Sequence, residues 1–218
     1  MADAASDVSA RLRAALSASH DVIERLPLAV SLTDGTITRP AYIGLIAQLW
    51  RLHETLEAQL DRRQTLGVFD ERQRRAPTLR ADLAALGADV LRLAAPSAVT
   101  VELQRAFEKW GTDDPWRLAG ALYVFEGSRM GSMFIGPPVA QALGLQNQPG
   151  SGVDYHLEGV ETRPLDWREF KSRLAKAAND PTVQESVIVG AVETMDGLLA
   201  LYTELGRAAD PTSAAGEM

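Results

Sequence analysis

The sequence predicts an all-α protein folded as a single domain. Apolar residues recur at three- to four-residue steps through several long stretches, and prolines and capping residues mark where those stretches begin. No segment argues strongly for a strand. With 218 residues, 46% of them hydrophobic, the chain can bury a substantial core, and its length fits one domain better than two.

The elements follow in chain order. Leu12, Leu16, Ile23 and Leu26 share a stripe whose gap is filled by His20, so residues 6–26 read as an amphipathic helix that ends near Pro27. After the Asp34-Gly35 turn, Thr38 is an N-cap and Pro40 suits the first turn of a helix running to about Arg63. Residues 77–94 and 98–110 form a helical pair, separated at Ala95-Pro96. Asp114-Pro115 opens a helix carrying Leu118, Leu122 and Phe125, which continues to Met133 before Pro137-Pro138 disrupts the pattern. Residues 145–163 have no period and read as a loop, and 165–178 and 181–206 are two further helices. The ordered core spans about 7–207, with small, polar ends at 1–6 and 208–218 expected to fray. There is no internal repeat.

Composition narrows the function. Cysteine is absent, so any metal must be held by other ligands. The first twenty residues lack the apolar run of a secretory signal. The most apolar stretches are broken by Glu126 and Arg129, or by Glu193 and Asp196, and none reads as a bilayer span. A soluble, cytoplasmic protein with no membrane partner is expected. A net charge of -7 disfavours attraction to nucleic-acid phosphate, so no nucleic-acid partner is expected.

Only three histidines are present, at 20, 53 and 156. His20 continues the apolar stripe of its helix, with Glu24 one turn onward and Arg13 two turns earlier. Glu24 is placed to accept from one ring nitrogen and leave the other for a metal, and Arg13 to meet an anionic ligand group. The same residues also describe a boundary histidine bonded to Glu24, the commoner outcome for an arbitrary helix. His53, between Trp50 and Glu57, reads as a solvated or partly buried structural residue, and His156 lies in the loop. A second cluster is Tyr123-Val-Phe-Glu-Gly127-Ser128-Arg-Met-Gly131-Ser132. Two glycines one turn apart inside a good helix cost about 1 kcal/mol each relative to alanine. Bare backbone at those positions admits either a flat ligand or a packed helix, and the spacing does not choose between them.

Together the stretches Leu12–Glu24 and Tyr123–Gly131 resemble the heme oxygenase family, particularly its bacterial, biliverdin-producing members, in order and separation as well as in residues. A third, weaker match covers Trp167–Leu174 and Asp180-Pro181, so the resemblance spans roughly residues 8–206. It implies a heme oxygenase-like multi-helical bundle in which His20 is the proximal ligand to heme iron, supported by Glu24. Arg13 and Lys171 would then bind propionates, and Tyr123, Gly127, Ser128, Gly131 and Ser132 would belong to the distal helix. Heme would be both substrate and cofactor, with no other metal. It would be opened to biliverdin, CO and ferrous iron using O2 and electrons from a ferredoxin or an NAD(P)H-dependent reductase.

Two departures from the family pattern stand out. Ser132 replaces a usual second glycine, which places a hydroxyl close to where heme and oxygen fit, and Met133 stands where glutamine is frequent. Ser132 motivates one alternative, a heme-binding or heme-delivery protein without ring opening; a second, a heme-free enzyme on the same fold, follows because fold alone does not fix function. Finally, Arg62, Arg63, Arg72, Arg74, Arg75 and Arg80 form a basic run. It reads first as a solvated face, with docking of an acidic electron donor as the alternative.

Overall fold

Proline sets the start of several helices. In the computed structural model, which describes residues 3–209, Pro27, Pro40, Pro77, Pro137 and Pro164 each occupy the first turn of a helix, where the missing N–H carries no penalty and the fixed φ already suits the helix. Thr38 and Ser97 cap their helices by accepting from the N–H groups of Ala41 and Thr100. The elements are α1 (Asp3–Ile23), α2 (Pro27–Thr33), α3 (Arg39–Asp61), α4 (Ala76–Ala85), α5 (Ala98–Asp113), α6 (Trp116–Ser132), α7 (Gly136–Ala142), α8 (Asp154–Leu157), α9 (Arg163–Ala177) and α10 (Pro181–Ala209). Among the described residues there is no strand.

The α6 helix is buried almost all round, with every residue from Leu118 to Glu126 inside the protein, as expected for a helix apolar on all faces. It crosses α10 at backbone contact. A Cβ added at Gly120 would overlap the Val187 carbonyl, and one at Gly190 would overlap the backbone of Arg117. Val187, Ala191, Met195, Leu198 and Leu201 line the buried side of α10. The other helices surround this pair: α1, α2, α3 and α5 meet α10, while α3, α5, α8 and α9 meet α6.

Several sequence expectations are corrected. The first helix stops at Ile23 because the chain turns into α2, a seven-residue helix too short for a periodic signal. The helix expected over 77–94 ends at Ala85, where Gly87 adopts a left-handed φ of 78°. The Pro137-Pro138 pair begins α7 after only a short break, and α8 lies within the segment expected to be loop. Residues 3–6 and 208–209, expected to fray, are helical; residues 1–2 and 210–218 lie outside the described residues. The residues Pro181–Ala208 are long and apolar enough, by length and composition, to cross a membrane, contrary to the expectation that no stretch would be; their apolarity serves the contact with α6.

Much of the arginine run is paired or buried. Arg72 pairs with Asp70, Asp166 and Glu169, and Arg74 with Asp61 and Glu71. Arg75 is buried, and Arg63 donates to the Gly111 carbonyl at 2.7 Å.

The glycine crossing yields a paired prediction. Gly120→Ala forces two helical backbones apart and lowers stability by about 1–3 kcal/mol or more. Gly44→Ala, in α3 with nothing within 4 Å of the added Cβ, raises it by about 0.4–1 kcal/mol. Thermal or urea unfolding of the two variants checks both signs.

Candidate functional site

The apolar stripe of α1 turns Val8, Leu12 and Leu16 into the core. One turn later the same stripe emerges, so His20 stands at the edge of the bundle with its side chain 53% exposed. It faces a cleft of about 310 Å³. Arg13, Leu16 and His20 of α1 form one wall, Tyr123, Gly127 and Ser128 of α6 the opposite one, and Trp167 of α9 and Met195 of α10 complete the lining. His20 Nδ1 lies 3.6 Å from Glu24 Oε1. Glu24 sits just beyond the end of α1, its N–H bonded to the His20 carbonyl at 3.2 Å. The donor atoms of His20, Asp21 and Glu24 lie within 4.8 Å of one another, all exposed.

On the opposite wall, Gly127 leaves backbone where a Cβ would touch the Trp167 ring at 3.6 Å. The exposed Ser128 donates to the Phe125 carbonyl at 2.8 Å. Tyr123 packs on Trp167 with ring centres 4.9 Å apart, and burial pushes its phenol pKa up. Trp167 in turn stacks on Phe170, and the Lys171 ammonium lies 5.2 Å from the Trp167 ring. The structure therefore brings together His20, Glu24, Arg13, Tyr123, Gly127 and Ser128, with Lys171 one residue removed behind Trp167.

Gly131 and Ser132 are placed differently from the sequence expectation. Gly131 is exposed, outside the cleft lining, with nothing within 4 Å of an added Cβ. Ser132 is 5% exposed and turned into the protein, donating to the Arg129 carbonyl at 3.1 Å and accepting from Arg163 at 3.2 Å. Five residues past Gly127, helical geometry carries it off the cleft face, so its hydroxyl does not crowd the cleft. Trp167 and Met195 were missed as site residues. The i,i+4 spacing of Trp167 and Lys171 was the available signal; Met195 gave none beyond its place in an apolar stripe.

Behind α6 lies a polar cluster that sequence periodicity did not announce. His53, assigned to a solvated or partly buried position, is 1% exposed, and His156, assigned to a loop, is buried in α8. Arg163 donates to the carbonyls of Arg129, His156 and Glu158 as well as to Ser132. Asp82 accepts from the N–H groups of Asp154 and Tyr155 and so holds the start of α8.

The sequence model of the family described as heme oxygenase matches residues 6–199, which include both walls of the cleft. The chain belongs to the heme oxygenase family. Solved structures share its fold. One of Synechocystis heme oxygenase-2 in complex with heme and NO has TM-score 0.85 and 18% identity over 95% of this chain and 89% of that one. Synechocystis heme oxygenase-1 in complex with heme has TM-score 0.75 and 16% identity over 91% of each chain. A CADD-like protein of unknown function from Nostoc punctiforme has TM-score 0.59 and 16% identity over 94% and 98%. No curated protein sequence matches significantly. Residues 6–199 also include the buried cluster behind α6.

That cluster sets the acid response. Burial, with Arg163 second, pushes the His156 pKa down from 6.5 to about 3. Between those values the unfolded chain takes up a proton that the folded chain refuses, so stability falls as pH drops from 6.5 toward 3. Asp82 opposes this: burial raises its carboxyl pKa from 3.8 to about 6 against its two backbone hydrogen bonds. Its folded form binds the proton more tightly, so its contribution is lost as pH rises from 3.8 through 6. His156→Phe flattens the acid loss of stability and Asp82→Asn steepens it, as read from unfolding midpoints between pH 4 and 7.

Proposed function

We propose that this protein is an active heme oxygenase, binding one heme in the cleft between α1 and α6 and opening it to biliverdin, CO and ferrous iron. Heme supplies the redox and oxygen chemistry when bound; the protein supplies a ligand, orientation and a shaped, partly dry site. The single observation that carries the reading is an imidazole facing bare helix backbone across an open slot, His20 on one side and Gly127 on the other.

The residues present fit the group. The cleft volume of about 310 Å³ lies within the roughly 300–1,000 Å³ of small-molecule sites, and its lining mixes apolar side chains with a few polar ones, as such sites do. Glu24 beside Nδ1 orients the ring and leaves Nε2 as the ligand atom. Arg13 in the lining, and Lys171 held over Trp167 at its margin, offer cations to propionate groups. Gly127 keeps the distal wall flat, and Ser128 beside it adds a polar side chain to the lining. Electrons come from a ferredoxin or an NAD(P)H-dependent reductase, and the reaction takes place in the cytoplasm. The alternative of heme delivery without ring opening was motivated by Ser132; with that side chain directed to Arg163, its motive falls away.

Titration of purified protein with hemin is expected to give a sharp Soret band. His20→Ala weakens binding by more than ~tenfold, about 1.4 kcal/mol, and Glu24→Gln by about tenfold. Supplying ascorbate or reductase with O2 then yields biliverdin absorbance and CO. An unchanged hemin spectrum in both wild type and His20→Ala sinks the reading. Ser132→Gly leaves the Soret band in place and costs about 0.5–1.5 kcal/mol of stability through the lost hydrogen bonds.

A further inference from the structure

Two faces of α9 carry different groups. Trp167, in the cleft lining, and Lys171 stand one turn apart on one face. Asp166, Glu169 and Arg173 follow one another at three- and four-residue steps on another, since each residue turns the helix by about 100°. Against this charged face lies the segment from Val68 to Gln73, part of the link between α3 and α4. The segment is pinned at both ends, because Val68 and Gln73 are buried. Within it the Asp70 N–H donates to Gln73 Oε1 at 2.9 Å, and Asp70 Oδ1 accepts from the Arg72 N–H at 2.9 Å.

The Arg72 guanidinium joins the segment to α9. Its Nη1 donates to Glu169 and lies 3.5 Å from Asp166 Oδ1, while Nη2 donates to Asp70 Oδ2 at 3.1 Å. Arg173 reaches back from α9: its Nη2 donates to the Val68 carbonyl at 3.3 Å and to Gln73 Oε1 at 3.1 Å, and lies 3.2 Å from Asp70 Oδ2. Two cations and three carboxylates thus share one seam. Without Arg72, the carboxylates of α9 lose their cation and face Asp70 as like charges. A lone exposed ion pair holds little, but here one guanidinium is divided among three carboxylates on two elements. Burial of Phe170 and Leu174 draws α9 onto the core without direction; the charged seam supplies the direction, resisting rotation of α9 about its axis.

We propose that Arg72 is a positioning residue for the cleft: by clamping α9 it sets where Trp167 and Lys171 meet a bound heme, and so which edge of the macrocycle faces Gly127. The proposal rests on the reading of the cleft as a heme site. The two propionates are the charged arms of heme, and the cation that receives them fixes how the macrocycle is turned about the axis through its iron. Lys171 is such a cation, held 5.2 Å from the Trp167 ring on the same helix. Rotation of α9 carries both side chains sideways and brings a different edge of the ring against the bare backbone of α6. Arg72 is outside the cleft lining and acts through α9 alone.

The test begins in the heme-free protein. With fluorinated tryptophan the four tryptophans are followed by 19F NMR, the Trp167 signal being assigned from Trp167→Phe. Arg72→Ala is expected to shift and broaden that signal, Arg72→Lys to restore most of it, and about 1 M NaCl to move the wild-type signal in the same direction as Arg72→Ala. Arg74→Ala is the control: it removes pairs to Asp61 and Glu71 from the same link without touching α9, and leaves the Trp167 signal in place. In the hemin-loaded protein, Arg72→Ala is expected to weaken hemin binding by ~2–5-fold and to change the proportions of biliverdin isomers formed under ascorbate, whereas Arg74→Ala keeps the wild-type proportions. An unmoved Trp167 signal or an unchanged isomer pattern in Arg72→Ala overturns the proposal. Equal changes in Arg74→Ala also overturn it, since they mark a general loss of stability. Failure of the wild type to bind hemin sinks the reading of the cleft instead, and the heme-free Trp167 signals still decide whether Arg72 positions α9.

Discussion

Everything in this protein depends on the backbone contact between α6 and α10. Gly120 and Gly190 remove the side chains that would hold the two helices apart, and dispersion between closely packed backbones replaces them. That contact fixes where α6 lies. One face of α6 then forms a cleft wall with Tyr123, Gly127 and Ser128, and the other closes over the polar cluster around His53, Tyr155 and Arg163. A helix with two functional faces has little freedom to shift, because movement that improves one spoils the other.

The polar cluster uses this rigidity. Buried polar groups cost several kcal/mol when unpaired, and several here are paired through the backbone: Glu57 at the start of α4, Asp82 at the start of α8, Arg163 at the end of α6, whereas both ring nitrogens of the buried His156 have no hydrogen-bond partner. Each of these pairings ties one helix terminus to another element, so side chains do the work that loops would do poorly. Arg163 illustrates the balance. Burial pushes its pKa down to about 10, yet it remains charged at neutral pH and is offered four acceptors. The same arrangement turns Ser132, a departure from the family's glycine, into a structural acceptor.

The cleft shows a different economy. Its proximal wall, α1, is a helix whose apolar stripe runs out at His20, so a residue that periodicity places in the core stands half exposed at its edge. The distal wall is firm because α6 is buried along most of its length, and Trp167 forms the floor between Tyr123, Phe170 and Lys171. A firm wall facing an exposed imidazole leaves packing open between them, in the cleft of about 310 Å³.

Much of this was legible in the sequence. Helical periodicity, first-turn prolines and the cap Thr38 determined the all-α class and most long helices, and the stripe of α1 determined that His20 and Arg13 share a face with Leu16. Short elements escaped because α2 and α8 contain too few residues for a period to show, and the true end of α4 depended on the left-handed turn at Gly87. Only the tertiary structure decided which glycines serve the cleft and which serve packing, since spacing along a helix does not name what lies across from it. Nor did sequence decide the fate of His53, Ser132 or the arginine run: burial and pairing of polar groups are set by partners distant in the chain, brought close only when the helices pack.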